Sequence, residues 1–206
     1  VFGEGGAGKS YLASLIGISV QSGEALLGLT PLKGPVLYLD WETSGDEVND
    51  RVAALCKGLG LPAIEFDYRY CYQPLADDIS AVQEIVGKHG TELLIVDSLG
   101  AACGGDPNAA DVAIRMFAAV RSLRLTSLLI DHVSKNNDRP TPFGSVYKIN
   151  YGRSLWEARK VQRTKAASIK IGLYHKKANN GPLQSPMGYE FEFENDQWGN
   201  PVKVNI

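Results

Sequence analysis

Gly3-Glu4-Gly5-Gly6-Ala7-Gly8-Lys9-Ser10 opens this 206-residue chain and meets every fixed position of the G-x-x-x-x-G-K-[ST] phosphate-binding loop. A triphosphate needs a backbone that wraps it closely. Gly3, Gly5, Gly6 and Gly8 supply turns with no Cβ in the way, and with Glu4 and Ala7 they form a cradle of inward-pointing amides. Lys9 is predicted to reach the β- and γ-phosphates of ATP and Ser10 to ligate Mg²⁺. The helix that begins near Gly8 is predicted to turn its positive end toward the anion. The alternative is a glycine-rich turn without a ligand. The context argues against it, because an apolar stub (Val1, Phe2) precedes the loop and a helical pattern (Tyr11, Leu12, Leu15, Ile16) follows. A buried parallel strand usually runs about five residues. The first strand is therefore expected to be cut short, with residues upstream of Val1 missing.

Two further runs read as strands buried on both faces. Val36 to Leu39 is mainly apolar and leads to Asp40 and Glu42, and Leu93 to Val96 ends in Asp97. The tips of such strands are where ligands bind. Asp97 has the position of the Walker B acid that holds the Mg²⁺ shell, through water. Its neighbour is Ser98 rather than a glutamate, so the water-activating base has to come from another strand, and a strand has to lie between the two Walker strands. Glu42 is the candidate base, with Asp40 the runner-up and a helix-capping acid the plainer reading. A third run, Ser127 to Ile130, ends in Asp131 and His132, and His132 is either a γ-phosphate contact or a structural histidine. Helices are expected from Gly8 to Ser22, Ser44 to Lys57, Leu75 to Lys88 and Ala109 to Arg124. A short strand is expected at Ile64 to Arg69 and a loop from Gly100 to Asn108.

Composition sets the limits. The length suits one domain over residues 1–206, and no secretory signal or membrane-spanning run is visible. Cys56, Cys71 and Cys103 have no metal-ligand spacing and point to a reducing, cytoplasmic setting. The net charge of −2 conceals a gradient: −7 over residues 1–130, +8 over 131–180 and −3 over 181–206. The basic segment is either a solvated face or a contact for a polyanion or another subunit. After Arg153 the pattern becomes antiparallel: Ser168 to Tyr174, Tyr189 to Glu194 and Pro201 to Ile206 alternate like strands that extend one edge of the sheet. Tyr189, Phe191 and Phe193 alternate with acids, which favours core packing over base stacking.

Taken together, these motifs resemble the RecA-like ATPases, and within them the RepA-type plasmid and phage replicative helicases. The resemblance rests on the loop, on Tyr38-Leu-Asp-Trp-Glu42 with Arg51 on the next helix, and on Val96-Asp97-Ser98-Leu99 followed by Asp106-Pro107-Asn108. It also includes Asp131-His132-Val133-Ser134-Lys135, Gly144-Ser145 leading to Arg153, and Lys177-Ala178-Asn179. It implies an α/β RecA-like P-loop core, with a mainly parallel sheet flanked by helices and antiparallel strands added at the C-terminal end. It further implies ATP and Mg²⁺ as cofactors, a ring of identical subunits (usually a hexamer) with ATP at each interface, and single-stranded DNA in the channel.

By the same resemblance Glu42 is the catalytic base, Asp97 the Mg²⁺-shell acid, His132 the γ-phosphate sensor and Arg153 the arginine finger acting on the neighbour's ATP. Arg159 and Arg163 compete for the finger role, and Lys177 is a second candidate contact in trans. No arginine lies in or just after the phosphate loop to serve the same subunit. The tract from Asn136 to Phe143 is short and holds two prolines, which limits its reach into a channel. The alternatives are a regulatory or recombinase-type ATPase without helicase activity and a small-molecule P-loop kinase, for which no arginine-rich lid is recognisable.

Overall fold

The computed structural model describes residues 1–28, 30–106, 108–133, 141–142, 146–161 and 167–206. In chain order the elements are β1 (Phe2–Gly3), α1 (Lys9–Ser22), β2 (Val36–Asp40), α2 (Gly45–Leu59), β3 (Asp67–Tyr70), α3 (Leu75–His89) and β4 (Leu93–Asp97). They continue with α4 (Leu99–Cys103), α5 (Ala110–Ser122), β5 (Thr126–His132), α6 (Val146–Tyr151), β6 (Ser154–Val161), β7 (Ser168–Ala178), β8 (Met187–Asn195) and β9 (Pro201–Asn205). The strands form one sheet in the order β3-β2-β4-β5-β1-β6-β7-β8-β9, parallel from β3 to β6 and antiparallel from β6 to β9. This is the expected α/β architecture, and β5 is the strand inserted between β1 and β4.

The central strands have no polar face because both faces are covered. Every residue of β2 and β4 is buried. The two-residue period of a strand divides them between two cores. Val36, Tyr38, Leu93 and Ile95 pack with α1 and α2, while Leu37, Leu39, Leu94 and Val96 pack with α3, α4 and α5. Local chemistry sets the helix ends. Ser44 Oγ accepts from the Glu47 amide at the start of α2, and Gly60 (φ 68°) closes its far end in the left-handed region that favours glycine. At Gly58 a Cβ would lie 1.8 Å from the Val204 carbonyl oxygen, so only glycine lets α2 lie this close to β9.

Four expectations need correction. Residues 99–103 are helical rather than loop, because Leu99, Ala102 and Cys103 turn inward and repay the short helix with buried contacts. β3 starts at Asp67 rather than Ile64, since its register with β2 begins at Leu37 and Asp67 and Phe66 turns into the core against α1. β6 is still parallel to β1, so the antiparallel part begins one strand later than Arg153 suggested. β7 runs on to Ala178, pairing Ala178 with Ser154. Tyr11 packs edge-on against Phe193 and at a tilt against Phe191, so these β8 aromatics are core, as expected. The three cysteines are buried and unpaired. Among the described residues no helix is long and apolar enough to cross a membrane.

Candidate nucleotide site

The phosphate loop links the tip of β1 to α1. Of its glycines, Gly6 (φ 69°) and Gly8 (φ 78°) take the left-handed conformation, while Gly3 is required by a close approach: a Cβ there would lie 2.2 Å from the Ala158 carbonyl oxygen of β6. Gly8 caps α1, and Lys9 is its first residue. Lys9 is buried, and its Nζ donates to the carbonyls of Gly3 (3.0 Å) and Glu4 (2.8 Å). Burial lowers its pKa, against the pull of Asp97, Glu42, Asp131 and Glu4. The ammonium is therefore held inside the loop by weak acceptors that phosphate oxygens can replace.

Asp97 ends β4 and is buried. Tyr38 Oη donates to its Oδ2 at 2.7 Å, and the Ser10 hydroxyl lies near enough to the carboxylate to favour its charged form. Burial raises the Asp97 pKa, Tyr38 and Ser10 lower it, Glu42 raises it and Arg51 lowers it. Ser10 and Asp97 thus meet at one point, although they come from opposite sides of β5. Their donors are oxygens, and no cluster of three or more His, Cys, Asp or Glu is present among the described residues. That set fits Mg²⁺, which takes one or two protein oxygens and completes its shell with water and phosphate.

Glu42 lies past the end of β2. The Ser98 hydroxyl donates to Glu42 Oε1, and His132 Nε2 is 3.7 Å from the same oxygen. Glu42, Ser98 and His132 therefore gather beside Lys9 and Asp97, with the Glu42 and His132 side chains part-exposed and able to meet a ligand. Asp40 is not available as the base. It is 1% exposed, and its carboxylate accepts from the Glu42 and Thr43 amides, the Thr43 hydroxyl and the Tyr68 hydroxyl, which fixes the turn that carries Glu42.

No arginine lies in or just after the loop, as expected, but Arg51 of α2 packs close to it. Its guanidinium lies 5.5 Å over the Tyr11 ring, its charge lowers the Asp97 pKa, and its Nη1 is buried with no hydrogen-bond partner among the described residues. Forty residues of chain separate Ser10 from Arg51, so only the packing of α2 on α1 brings them together. The signal for Tyr38 was a polar atom in an otherwise apolar run. Ser98 was noted only for not being acidic.

Arg153 is exposed, and its side chain makes no hydrogen bond or ion pair among the described residues. β6 runs parallel to β1 with Glu157 opposite Phe2. Arg153 therefore sits four residues below that level, roughly 13 Å toward the end of the sheet opposite the loop. Its competitor Arg159 is engaged inside its own subunit: Nε and Nη2 clamp Glu157 at 2.7 and 2.9 Å, and Cζ lies 4.7 Å over the Tyr174 ring. Arg163 lies outside the described residues. Lys177 does not fit a contact in trans, because its Nζ donates to the carbonyls of Ile149 (2.8 Å), Asn150 (3.0 Å) and Gly152 (2.8 Å), which uses all three of its protons.

The same accounting thins the basic segment. Lys148 pairs with Asp131, Arg159 and Lys176 with Glu157, and Lys170 with Glu190, and Lys177 caps α6. Arg153 and Lys160 remain without a partner among the described residues. Lys135, Arg139 and most of the Asn136 to Phe143 tract lie outside them. A cavity of about 1000 Å³ lies away from the loop, beneath the two-residue β1, between Thr126 to Leu129 of β5 and Ser154 to Trp156 of β6. Its lining is largely apolar, so it is not the phosphate site.

A phosphate loop on a β1–α1 junction, a strand-end Asp beside its serine, and a glutamate at the tip of a third parallel strand define a P-loop ATPase. Residues 1–138 match the family model described as AAA domain, and the chain belongs to that family. No curated protein matches the chain at a significant level.

Proposed function

We propose that this ATPase is a ring-forming motor on single-stranded DNA, of the kind found in RepA-type plasmid and phage replicative helicases. The observation that carries the proposal is the position of Arg153. It is an exposed arginine with no partner among the described residues, roughly 13 Å by strand rise from the level of Phe2 and at the end of the sheet opposite its own loop, which supports a role on another subunit's ATP. In the assembled ring Lys9 leaves the Gly3 and Glu4 carbonyls for the β- and γ-phosphates. Ser10 and Asp97 would hold Mg²⁺, which would neutralise phosphate charge. Glu42, oriented by Ser98, accepts a proton from the attacking water, and Arg51 and the neighbour's Arg153 stabilise charge on the γ-phosphoryl group. His132, beside Glu42, senses whether that group is present.

A specific observation favours one other reading, a regulatory ATPase that does not touch DNA: five of the seven described cations between residues 131 and 180 are spent inside the subunit. One experiment separates the two. Sedimentation with a nonhydrolysable ATP analogue should give a ring, and single-stranded DNA should then stimulate ATPase. DNA affinity should fall with salt by roughly 0.7 in log K per phosphate neutralised, and the slope should flatten in Lys135→Ala/Arg139→Ala. A ring that binds no DNA at low salt establishes the regulatory reading, and a monomer under the same conditions overturns both.

A further inference from the structure

Lys148 is the least expected charge in the molecule. It lies on the six-residue α6, and its side chain is 1% exposed. Nζ donates to Asp131 Oδ2 at 3.1 Å, while Oδ1 of the same carboxylate accepts from the His132 amide at 3.0 Å. One buried carboxylate thus ties the backbone of His132, at the phosphate end of the sheet, to α6. The arrangement is costly, since burial raises the Asp131 pKa even with Lys148 and the His132 amide pulling it down. A buried ion pair of this kind often stabilises a fold no better than apolar side chains of the same volume.

The other end of α6 is also fixed. Tyr151 packs against Phe117 of α5 with ring centroids 5.6 Å apart, and Arg121 lies 4.8 Å over its face. Lys177 of β7 caps the last carbonyls of the helix, as described above. Six helical residues span about 9 Å. From Lys148, which holds Asp131, to Tyr151 the rise is about 4.5 Å, and Gly152 then leads directly to Arg153.

We infer that the Asp131–Lys148 pair and α6 act as a strut that sets the position of Arg153 according to the strand tip bearing His132. The state of one subunit's γ-phosphate site would then reach the finger serving the next. This rests on Arg153 acting in trans. Asp131, Lys148 and Lys177 are positioning residues, held away from the reacting atoms, and sub-ångström shifts at His132 are sufficient because the connection is packed and hydrogen-bonded throughout.

Mixed rings test it. Arg153→Ala subunits retain the phosphate loop but lack the finger, and Lys9→Ala subunits retain the finger but lack a working loop. Their mixture is the control and should regain ATPase. A second donor carries Lys9→Ala with Asp131→Asn and Lys148→Met, which removes the pair without burying a lone charge. Its own site is already silent, so the assay reads only its finger. Restored kcat should be about 10- to 100-fold below the control, the scale expected when a catalytic group is displaced by about 1 Å, with KM for ATP and ring assembly unchanged. A Lys9→Ala/Lys177→Met donor releases the other end of α6 at a part-exposed position, and it decides by the same criterion if the first donor fails to assemble. Restoration equal to the control overturns the strut. A dead control in assembled rings overturns the finger reading, and the strut with it.

Discussion

Replacing Tyr38 with phenylalanine removes one oxygen and leaves the ring, which is 0% exposed and stacked between Phe66 and Tyr68. The lost hydroxyl donates to Asp97 Oδ2, so the variant buries a carboxylate oxygen with no donor. A hydrogen bond to a charged group contributes about 1.5 to 3 kcal/mol. For a domain of this size about 2 kcal/mol corresponds to a fall in Tm of roughly 4 to 8 °C. The effect should depend on pH in a definite direction. Burial raises the folded-state pKa of Asp97, so its stabilising contribution is complete below the ordinary carboxylate range and is lost as pH rises through the raised value. The Tyr38 hydrogen bond lowers that pKa, and its removal raises it further. The variant therefore loses more than the parent at neutral pH, and the gap narrows on acidification as both carboxyls protonate. Thermal and urea unfolding at pH 7.5 and pH 5 measure it. A Tm change under 1 °C at pH 7.5, or a gap that widens at pH 5, would refute the assignment of Tyr38 as a donor that favours the charged form of Asp97.

Two further outcomes concern the division of labour in the site. Lys9→Ala should abolish tight Mg·ATP binding, whereas Glu42→Gln should bind normally but turn over at least about 10²-fold more slowly, the usual scale for general-base loss. Equal loss of binding in a fluorescent-nucleotide titration would end that distinction. Asp40→Asn should lower stability by about 1 to 3 kcal/mol, because an amide cannot accept all four hydrogen bonds that hold the turn. At temperatures where it is folded it should retain turnover within a few-fold of the parent, and a variant that is folded but inactive would return Asp40 to consideration as the base.

Some of this was readable in the chain because it is local. The phosphate loop needs eight consecutive residues, and its chemistry follows from glycine geometry and one lysine whatever the rest of the fold does. The apolar runs at residues 36–39 and 93–96 could only be strands covered on both faces, and their acids had to emerge at the sheet edge where nucleotide binds. From this followed the parallel sheet, the inserted strand, and Glu42 rather than Asp97's neighbour as the candidate base. What the sequence left open depended on contacts made across the sheet. Asp40 and Glu42 are two residues apart and equally acidic, but only the turn geometry and Tyr68 make one a scaffold and leave the other facing the ligand. Arg51 enters the site because α2 packs on α1, and Tyr38 because β2 lies beside β4, placing its hydroxyl against a residue 59 positions away. Arg153 stood ahead of Arg159 and Lys177 only by resemblance, since all three are basic residues in the same part of the chain. The structure separates them by what each cation touches: Glu157 and Tyr174 hold Arg159, three carbonyls hold Lys177, and strand direction puts Arg153 on the far side of the sheet. Charge and spacing are properties of the chain, but whether a charge is free or already satisfied is decided only by the neighbours that folding supplies.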